Sequence, residues 1–280
     1  MSRLFSTRRN LILGALALAF AAGNAAAKDP KELVIGTSAG KYADQLKIGI
    51  KPILEKQGYK VKIVEFNDYV QPNFALAEGS LDANVFQHIV YLNKFATEHK
   101  LALSPLITIP TAAIAIYSRK HKSLNEVKEG STVAMPNDPT NQARALVLLD
   151  QLGWIKLRAG VDPLRASERD VATNIKKVKL IALEAAQLPR SLQDTDYSFI
   201  NGNYAEASGI SLAEALITEK ISPSYINLVA VRTADKDKQF AKDIAAAYRS
   251  REFLDITNKY FKNYSKTDYQ QAMEAAAVKK

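Results

Sequence analysis

Short apolar runs alternate along the chain with longer segments in which apolar residues recur at helical spacing. In the first third, three strand patterns are each followed by an amphipathic helix pattern. The strands are predicted at Glu32–Gly36, Val61–Phe66 and Ala83–Val85, and the helices at Asp44–Gln57, Pro72–Glu78 and His88–His99. This regular alternation predicts a parallel sheet with helices on its faces.

The pattern begins again after a further apolar run, Ala112–Tyr117. Two α/β units without a flexible linker predict an α/β fold of two lobes. We expect the chain to cross between them near Ile116–Arg119 and Ser222–Asn227, and the C-terminal helices to return to the first lobe. The later strands are predicted at Thr132–Met135, Leu180–Leu183, Ser198–Asn201 and Tyr225–Val231, with a long helix from Asp138 to Leu152.

The first 27 residues have the pattern of a secretory signal peptide. Arg3, Arg8 and Arg9 precede a short apolar run, Leu11–Ala22, and Ala25–Ala27 supplies small residues for cleavage. This run is too short to cross about 30 Å of hydrocarbon as a transmembrane anchor, and general or twin-arginine export both fit the arginine pair. The expected organisation is a signal peptide at 1–27, the first part of lobe 1 at 28–117, lobe 2 at 118–223 and a return to lobe 1 at 224–280.

Composition narrows the chemistry. The 280 residues contain no cysteine and three scattered histidines, which excludes disulfides and cysteine nucleophiles and predicts neither a metal nor a cofactor. The formal net charge is +9; without the three signal-peptide arginines, 35 basic residues face 29 acidic ones, a net charge of +6. Because this surplus is spread thinly and lacks interleaved aromatic residues, nucleic acid is not an expected partner.

The segment Asn137–Arg144 predicts a helix start that is suited to an anion. Asp138 before Pro139 fits an N-cap followed by proline at the first helical position, where free N–H groups attract negative charge. Arg144 follows about two turns later among apolar residues, and its guanidinium would pair best with a carboxylate. The alternatives are that Arg144 pairs with an acidic side chain of the protein or points into solvent.

Aromatic and amide residues gather just beyond the C-terminal ends of two predicted strands, the edge at which open α/β sheets bind ligands. Tyr69, Phe86, His88 and Tyr91 are therefore predicted to line an apolar pocket with polar tips. The alternative is that these aromatic side chains belong to the ordinary core.

Two asparagines complete the candidate site. Asn201 follows a predicted strand, and the glycine after it, Gly202, is expected to mark a tight turn. Asn227 lies inside an apolar strand, so its amide must find a partner in a turn, in the opposite lobe or in a ligand.

Catalytic motifs are scarce. The chain has no G-x-S-x-G elbow, no Walker loop and no G-x-G-x-x-G after a strand. Asp68 and His88 could form an acid–base pair, but no activated nucleophile completes it. We therefore expect no catalytic residues, and we keep as the alternative a periplasmic enzyme that acts on an amino-acid derivative.

Six motifs carry a family resemblance: FNDYVQPN, LDANVFQH, AMPNDPTNQARALVLL, GWIKL, EAAQLPRSL and INGNYA. Together they resemble the NlpA family, the methionine-binding proteins of bacterial ABC importers, over nearly all of the chain from about Glu32 to Tyr260. The resemblance implies a two-lobe periplasmic-binding-protein fold with a ligand cleft between the lobes. It also implies L-methionine or a related amino acid as the ligand, and a permease with its ATPase as the partner.

The resemblance further implies roles for individual residues. Arg144 would clamp the ligand carboxylate, and Asn141 of the same motif belongs to the implied ligand-binding set. Asn201 would help to fix the backbone groups of the amino acid, and Asn227 would form a hydrogen bond to it. The wall around the ligand side chain and amino end would consist of Tyr69, Phe86, His88 and Tyr91.

Two departures from the family pattern change these expectations. Most members have a lipobox cysteine, and this chain has none, so we expect a monomer that is freely soluble in the periplasm without a lipid anchor. The family commonly has a Tyr-Pro pair a few residues before the Tyr-Ser at the lobe crossing. Alignment on Tyr117 and Ser118 places Ala112 and Ala113 there, which predicts a looser pocket.

Overall fold

Twelve strands form in the part of the chain that the computed structural model describes, Asp29 and residues 31–278. The signal peptide predicted over residues 1–27 lies outside these described residues. The strands are β1 (Glu32–Ser38), β2 (Lys60–Phe66), β3 (Ala83–His88), β4 (Leu103–Thr108), β5 (Ile114–Tyr117), β6 (Thr132–Pro136), β7 (Lys156–Leu157), β8 (Val171–Thr173), β9 (Lys179–Leu183), β10 (Tyr197–Asn201), β11 (Ile217–Thr218) and β12 (Asn227–Arg232).

Ten α-helical segments accompany these strands within the same described residues. They are α1 (Lys41–Asp44), α2 (Lys51–Lys56), α3 (Gln71–Ala77), α4 (Ile89–His99), α5 (Pro139–Gln151), α6 (Leu188–Ser191), α7 (Gly202–Ala207), α8 (Gln239–Tyr248), α9 (Arg251–Tyr260) and α10 (Asp268–Val278). A π-helical stretch, Gln45–Ile50, joins α1 to α2, so the helix predicted over Asp44–Gln57 is continuous but has a wider middle.

The first sheet has the strand order β2-β1-β3-β12-β4. Strand β1 runs parallel to β2 and β3, as the alternating pattern predicted. Strand β12 runs antiparallel to both β3 and β4, so the sheet as a whole is mixed, which the alternating pattern of the first third did not predict. The reason is topological, because β12 enters this sheet on the return from the other lobe and hydrophobic periodicity does not encode strand direction.

The second sheet has the order β11-β5-β10-β6-β9, in which β5 is antiparallel to β10 and β11. The chain therefore passes between the sheets at residues 109–113 and again at residues 219–226. The first passage is earlier than the predicted one near Ile116–Arg119. Strand β5 therefore belongs to the second sheet, although the predicted first part of lobe 1, residues 28–117, includes it. The apolar run Ala112–Tyr117 continues through the passage, so hydrophobicity alone does not mark it.

Helices α8 and α9 pack on the first sheet. Ile244 and Tyr248 of α8 and Phe253 of α9 are buried in the same cluster as Leu33 and Ile35 of β1. Burial of side chains of this size contributes roughly 1.5–3 kcal/mol each. The prediction of an α/β fold with two lobes is thus confirmed. Within Asp29 and residues 31–278, no helix combines the length and the apolar character that a membrane span requires.

Candidate functional site

Side chains from both lobes enclose a cavity between the two sheets. It is lined by Tyr42, Tyr69, Phe86, Gln87, His88, Tyr91, Ala112, Asn141, Arg144, Asn201, Asn203 and Asn227. All eight residues predicted from the sequence are among them. The cavity offers about 20 Å³ to the centre of a water molecule, which is room for about one water. A groove of about 490 Å³ adjoins it at Tyr69 and Tyr91.

Helix α5 begins as the sequence predicted, with Asp138 as its N-cap. Its Oδ1 accepts from Asn141 N at 3.0 Å, and its Oδ2 accepts from Asn141 Nδ2 at 2.9 Å. Because the amide nitrogen of Asn141 is held by the cap, Asn141 Oδ1 is left to accept from Arg144 Nη1, at 2.8 Å. The cap therefore sets the orientation of an amide that in turn positions the guanidinium.

Arg144 is paired inside the protein, as one of the alternatives for this residue anticipated. Its Nε donates to Glu219 Oε2 at 3.1 Å, its Nη2 donates to Glu219 Oε1, and its guanidinium carbon lies 4.7 Å from the centroid of the Tyr225 ring. The two charged side chains are only 4% and 10% exposed. Burial lowers the pKa of Arg144, but the Glu219 carboxylate more than offsets this, so the pKa is raised and the guanidinium stays charged.

Arg144 nevertheless keeps capacity for a ligand. A guanidinium carries five N–H groups, and the protein uses three of them, two toward Glu219 and one toward Asn141. One N–H therefore remains on Nη1 and one on Nη2. Two such groups match the two oxygens of a carboxylate.

Asn201, the last residue of β10, carries an acceptor that the protein does not use. Its Nδ2 donates to Asn141 Oδ1 at 3.0 Å, which fixes the orientation of the Asn201 amide because Asn141 Oδ1 can only accept. Its buried Oδ1 has no hydrogen-bond partner among the described residues. An unpaired buried acceptor costs about 1–3 kcal/mol, so the cavity offers a place for a donor.

His88, the N-cap of α4, carries an unused donor. Its Nδ1 accepts from Tyr91 N at 3.2 Å. Burial, followed by the charge of Arg144, holds the pKa of His88 well below 6.5, against a smaller opposing effect of Asn141. The ring is therefore neutral with its proton on Nε2, and this Nε2 is buried without a hydrogen-bond partner in the described chain. His88, Asn141, Arg144 and Asn201 are hereafter called the head-group cluster.

Three aromatic rings form one wall of the cavity. Tyr69 stacks on Phe86 with centroids 5.6 Å apart, and Tyr91 meets both rings edge-on at 6.1 and 6.0 Å. Tyr69 OH donates across the lobes to Asn203 Oδ1 at 2.8 Å, and Tyr91 OH donates to Tyr69 O at 2.9 Å. Burial raises the pKa of both phenols, so they stay neutral. These rings pack together as core residues do and also face the cavity.

Asn227 lies at the start of β12, where the chain returns to the first sheet. Its Nδ2 donates to Phe86 O at 3.0 Å, and its backbone N donates to Thr111 Oγ1 at 2.8 Å. The buried amide nitrogen is thus satisfied by the neighbouring strand β3 of the same sheet, which was not among the partners expected from the sequence. The side chain still borders the cavity.

Two glycines allow the lobes to touch through their backbones. Gly202 was predicted to mark a tight turn, but it is the first residue of α7. A Cβ at this position would lie 2.4 Å from Ala112 Cβ and 2.8 Å from Ala113 O, so only glycine fits. Gly40, with φ of +92°, faces the same helix: a Cβ there would lie 2.8 Å from Asn203 O and 3.0 Å from the Cβ of Ala207. Close approach explains both residues.

A second polar cluster, the amide cluster of Asn73, Asn84 and Gln87, lies next to the wall. All three side chains are buried. Asn73 Oδ1 accepts from Asn84 Nδ2 at 2.8 Å and from Gln87 Nε2 at 2.7 Å, and Asn73 Nδ2 donates to Gln87 Oε1 at 2.8 Å. Gln87 Nε2 also donates to Asn84 Oδ1 at 3.0 Å, and Asn84 Nδ2 donates to Pro72 O at 3.1 Å, so every side-chain nitrogen and oxygen of the cluster has a partner. It holds α3 against β3.

The acid–base pair considered from the sequence does not form. Asp68 Oδ1 accepts from the backbone N–H groups of Val70 and Gln71, each at 2.7 Å. His88 is engaged with Tyr91, and no hydrogen bond joins Asp68 to His88 in the described structure. Across the described residues, no three His, Asp or Glu side chains cluster so that they could hold a metal ion.

Several lining residues were not identified from the sequence, and neither was the acidic partner of Arg144. Glu219 stands 75 positions after Arg144 beside Lys220, a pattern typical of an exposed loop. Tyr42 and Asn203 border the cavity because helices from the two lobes meet there. Asn203 could have been selected, since it belongs to the same motif as Asn201.

Comparison with known proteins gives consistent matches. A family model described as NlpA lipoprotein matches residues 33–269. The chain is 41% identical over 254 residues to the D-methionine-binding lipoprotein MetQ of Salmonella typhi, covering 89% of this chain and 92% of that protein. A nutrient binding protein of Burkholderia cenocepacia, solved bound to methionine, is 41% identical with a TM-score of 0.80 over 84% of this chain and 99% of its own. A methionine binding protein, MetQ, is 39% identical with a TM-score of 0.81, over 85% of this chain and 99% of its own.

These matches correct one expectation. The prediction of a freely soluble protein without a lipid anchor rested on the missing lipobox cysteine. It is contradicted by the matching family and by the relatives from Salmonella typhi and Escherichia coli, all of which are named lipoproteins. The same relatives are named binding proteins rather than enzymes.

Proposed function

The chain belongs to the NlpA lipoprotein family, and from this premise we propose that it is the substrate-binding protein of an ABC importer that takes methionine or a closely related amino acid. The observation that carries the proposal is the set of unused polar atoms in the cavity. Two N–H groups of Arg144 and His88 Nε2–H are donors without partners, and Asn201 Oδ1 is an acceptor without one.

These atoms complement the head group of an α-amino acid. The carboxylate takes the two free N–H groups of Arg144 and the Nε2–H of His88, which are charge-assisted contacts. The ammonium group donates to Asn201 Oδ1, with Asn227 alongside. A larger neighbouring groove offers more volume, but its described lining does not bring together a comparable set of unpaired buried atoms.

The aromatic wall of Tyr69, Phe86 and Tyr91 would receive the ligand side chain. A thioether makes favourable contacts with aromatic rings, each worth about 0.3–1.5 kcal/mol. An apolar wall separates near-isosteric side chains poorly, by about 1–3 kcal/mol per methylene. With Ala112 and Ala113 at the first crossing, we propose a pocket in which D-methionine competes with L-methionine within about tenfold, or roughly 1.4 kcal/mol.

Binding requires the lobes to separate. The described cavity has room for about one water, too little for an amino acid of the length of methionine. Movement about the two crossing segments, residues 109–113 and 219–226, would open the cleft and close it again over the ligand. The closed, loaded monomer would then be the form that a permease with its ATPase receives. The bound amino acid would be released unchanged, since the proposed role includes no turnover.

Calorimetric titration of the protein, unfolded and refolded to remove bound ligand, tests the proposal. The titrants are the twenty L-amino acids and D-methionine. We expect L-methionine among the tightest ligands, D-methionine within about tenfold of it, and intact methionine on recovery. Failure of all twenty-one ligands to bind would refute the proposed ligand class. Binding of L-methionine alone, about a thousandfold ahead of every other ligand, would refute the looser pocket only.

A further inference from the structure

Glu219 forms a buried ion pair with Arg144 but does not line the cavity itself. It follows β11, on the segment by which the chain returns to the first sheet. Both of its carboxylate oxygens accept from the guanidinium. Its side chain is 10% exposed, so solvent screens the pair little.

Glu219 is fixed in this place by the backbone of β5. Its Oε1 accepts from Ile114 N at 3.0 Å, and its own N–H donates to Ile114 O at 3.1 Å. These contacts do not involve a ligand, so the carboxylate has no need to leave Arg144 when the cleft fills. The pair therefore acts as one unit of the site.

The charge count of the cavity follows from this pair. Arg144 is the one charged side chain among the described lining residues, because His88 and the lining tyrosines are neutral. Glu219, which is not itself a lining residue of the cavity, neutralises the charge of Arg144. The lining residues and Glu219 together thus carry no net charge, while Arg144 still presents two N–H groups to a carboxylate.

We propose that Glu219 is a specificity-determining residue that makes the site select zwitterions and reject carboxylic acids of the same shape that lack the ammonium group. The inference rests on the proposed function. A zwitterion adds no net charge to the closed site, whereas an anion adds one uncompensated charge to a buried region, which is strongly unfavourable. Without Glu219, Arg144 alone would balance an anion.

The test compares the affinities of two ligands, L-methionine and 4-(methylthio)butanoate, the same molecule without its amino group. The proteins are the wild type, Glu219→Gln, Glu219→Asp and a matched control, Glu129→Gln, whose carboxylate pairs with Lys177 on the exposed surface. Each is titrated by calorimetry, and its melting temperature reports folding.

In Glu219→Gln we expect the preference for L-methionine to fall at least about tenfold, or 1.4 kcal/mol, because the deaminated acid binds more tightly. Glu219→Asp keeps the charge, so its preference should stay within about threefold of the wild type even if both ligands bind more weakly. Glu129→Gln should match the wild type.

Equal weakening of both ligands in Glu219→Gln would overturn the inference and leave Glu219 a structural partner of Arg144. If Glu219→Gln does not fold, the result for Glu219→Asp is used instead. A retained preference for L-methionine over the deaminated acid supports selection by charge, and a lost preference overturns it. A wild type that binds no amino acid refutes the proposed function itself, and the inference falls with it. A wild type that binds L-methionine with an unaltered preference in Glu219→Gln refutes the inference alone.

Discussion

Two buried polar clusters border the cavity, the amide cluster through Gln87 alone, and they differ in one respect. Every side-chain nitrogen and oxygen of the amide cluster has at least one hydrogen-bond partner. The head-group cluster is equally buried but leaves donors and an acceptor without partners. Because unpaired buried polar atoms are costly, such a surplus within one cavity is what we expect where a ligand completes the structure. Burial and polarity alone would not have separated the two clusters.

The strongest way to break this comparison is to replace Arg144 with alanine. We expect the dissociation constant for methionine to rise about 30-fold or more, because truncating one partner of a desolvated ion pair costs about 2–5 kcal/mol. The ligand-free protein should also lose stability, by about 3–5 kcal/mol, because Glu219 is left buried without its counter-charge. Calorimetry and urea unfolding measure the two effects.

The double variant Arg144→Ala with Glu219→Gln separates the two effects. It should recover much of the free energy of unfolding, since no buried charge is stranded, and it should still bind methionine poorly. Binding at the wild-type level by this double variant would show that Arg144 serves the fold alone.

A matched pair of substitutions sharpens the comparison. Asn84→Ala removes a member of the amide cluster and strands the oxygen of Pro72, so we expect it to lower the free energy of unfolding by about 1–3 kcal/mol. Asn201→Ala removes an oxygen that already lacks a partner and one hydrogen bond to Asn141 Oδ1, which still accepts from Arg144, so stability should change by less than about 1 kcal/mol. Methionine affinity should fall about tenfold in Asn201→Ala, because a hydrogen bond to the ligand ammonium is lost.

Folded Asn84→Ala should bind methionine within about threefold of the wild type, or 0.7 kcal/mol. The two clusters would have to be regarded as equivalent if Asn201→Ala proved the less stable protein and Asn84→Ala the weaker binder.

The smallest expected effect is a dependence on pH. The pKa of His88 is lowered by folding, so below pH 6.5 the unfolded chain takes up a proton that the folded protein does not. Stability contributed by neutral His88 is therefore present above pH 6.5 and lost as the pH falls. Relative to His88→Asn, the ligand-free wild type should lose about 1.4 kcal/mol between pH 7.5 and pH 5.5.

Urea unfolding at several pH values measures this difference. His99→Asn, the same substitution at the exposed end of α4, is the control for the replacement itself. Parallel curves for the wild type and His88→Asn would contradict the argument that His88 is held neutral.

Local chemistry made much of this molecule predictable. The Asp138-Pro139 pair specified the start of α5, and the spacing to Arg144 placed a guanidinium in the second turn. Tyr69 and His88 were predicted to share a site because they follow the ends of two strands at one sheet edge, and the structure brings both to one cavity. Their role in binding stays a prediction.

Long-range pairing was not predictable. Glu219 meets Arg144 only because β11 ends beside β5, and strand order cannot be deduced from hydrophobic periodicity. The antiparallel direction of β12 was not predicted, for the same reason. The role of Gly202 was also missed, because a close contact with Ala112 depends on two segments far apart in the sequence.

The backbone contacts at Gly40 and Gly202 act as a mechanical stop. Helix α7 already touches the first lobe through main-chain and Cβ atoms, and no flexible side chain at these two positions could be compressed further. The lobes can rotate apart, but they cannot close beyond this contact. The smallest volume of the cleft is therefore set by the main chain, and a bound amino acid, which is larger than this volume, would hold the lobes short of the contact.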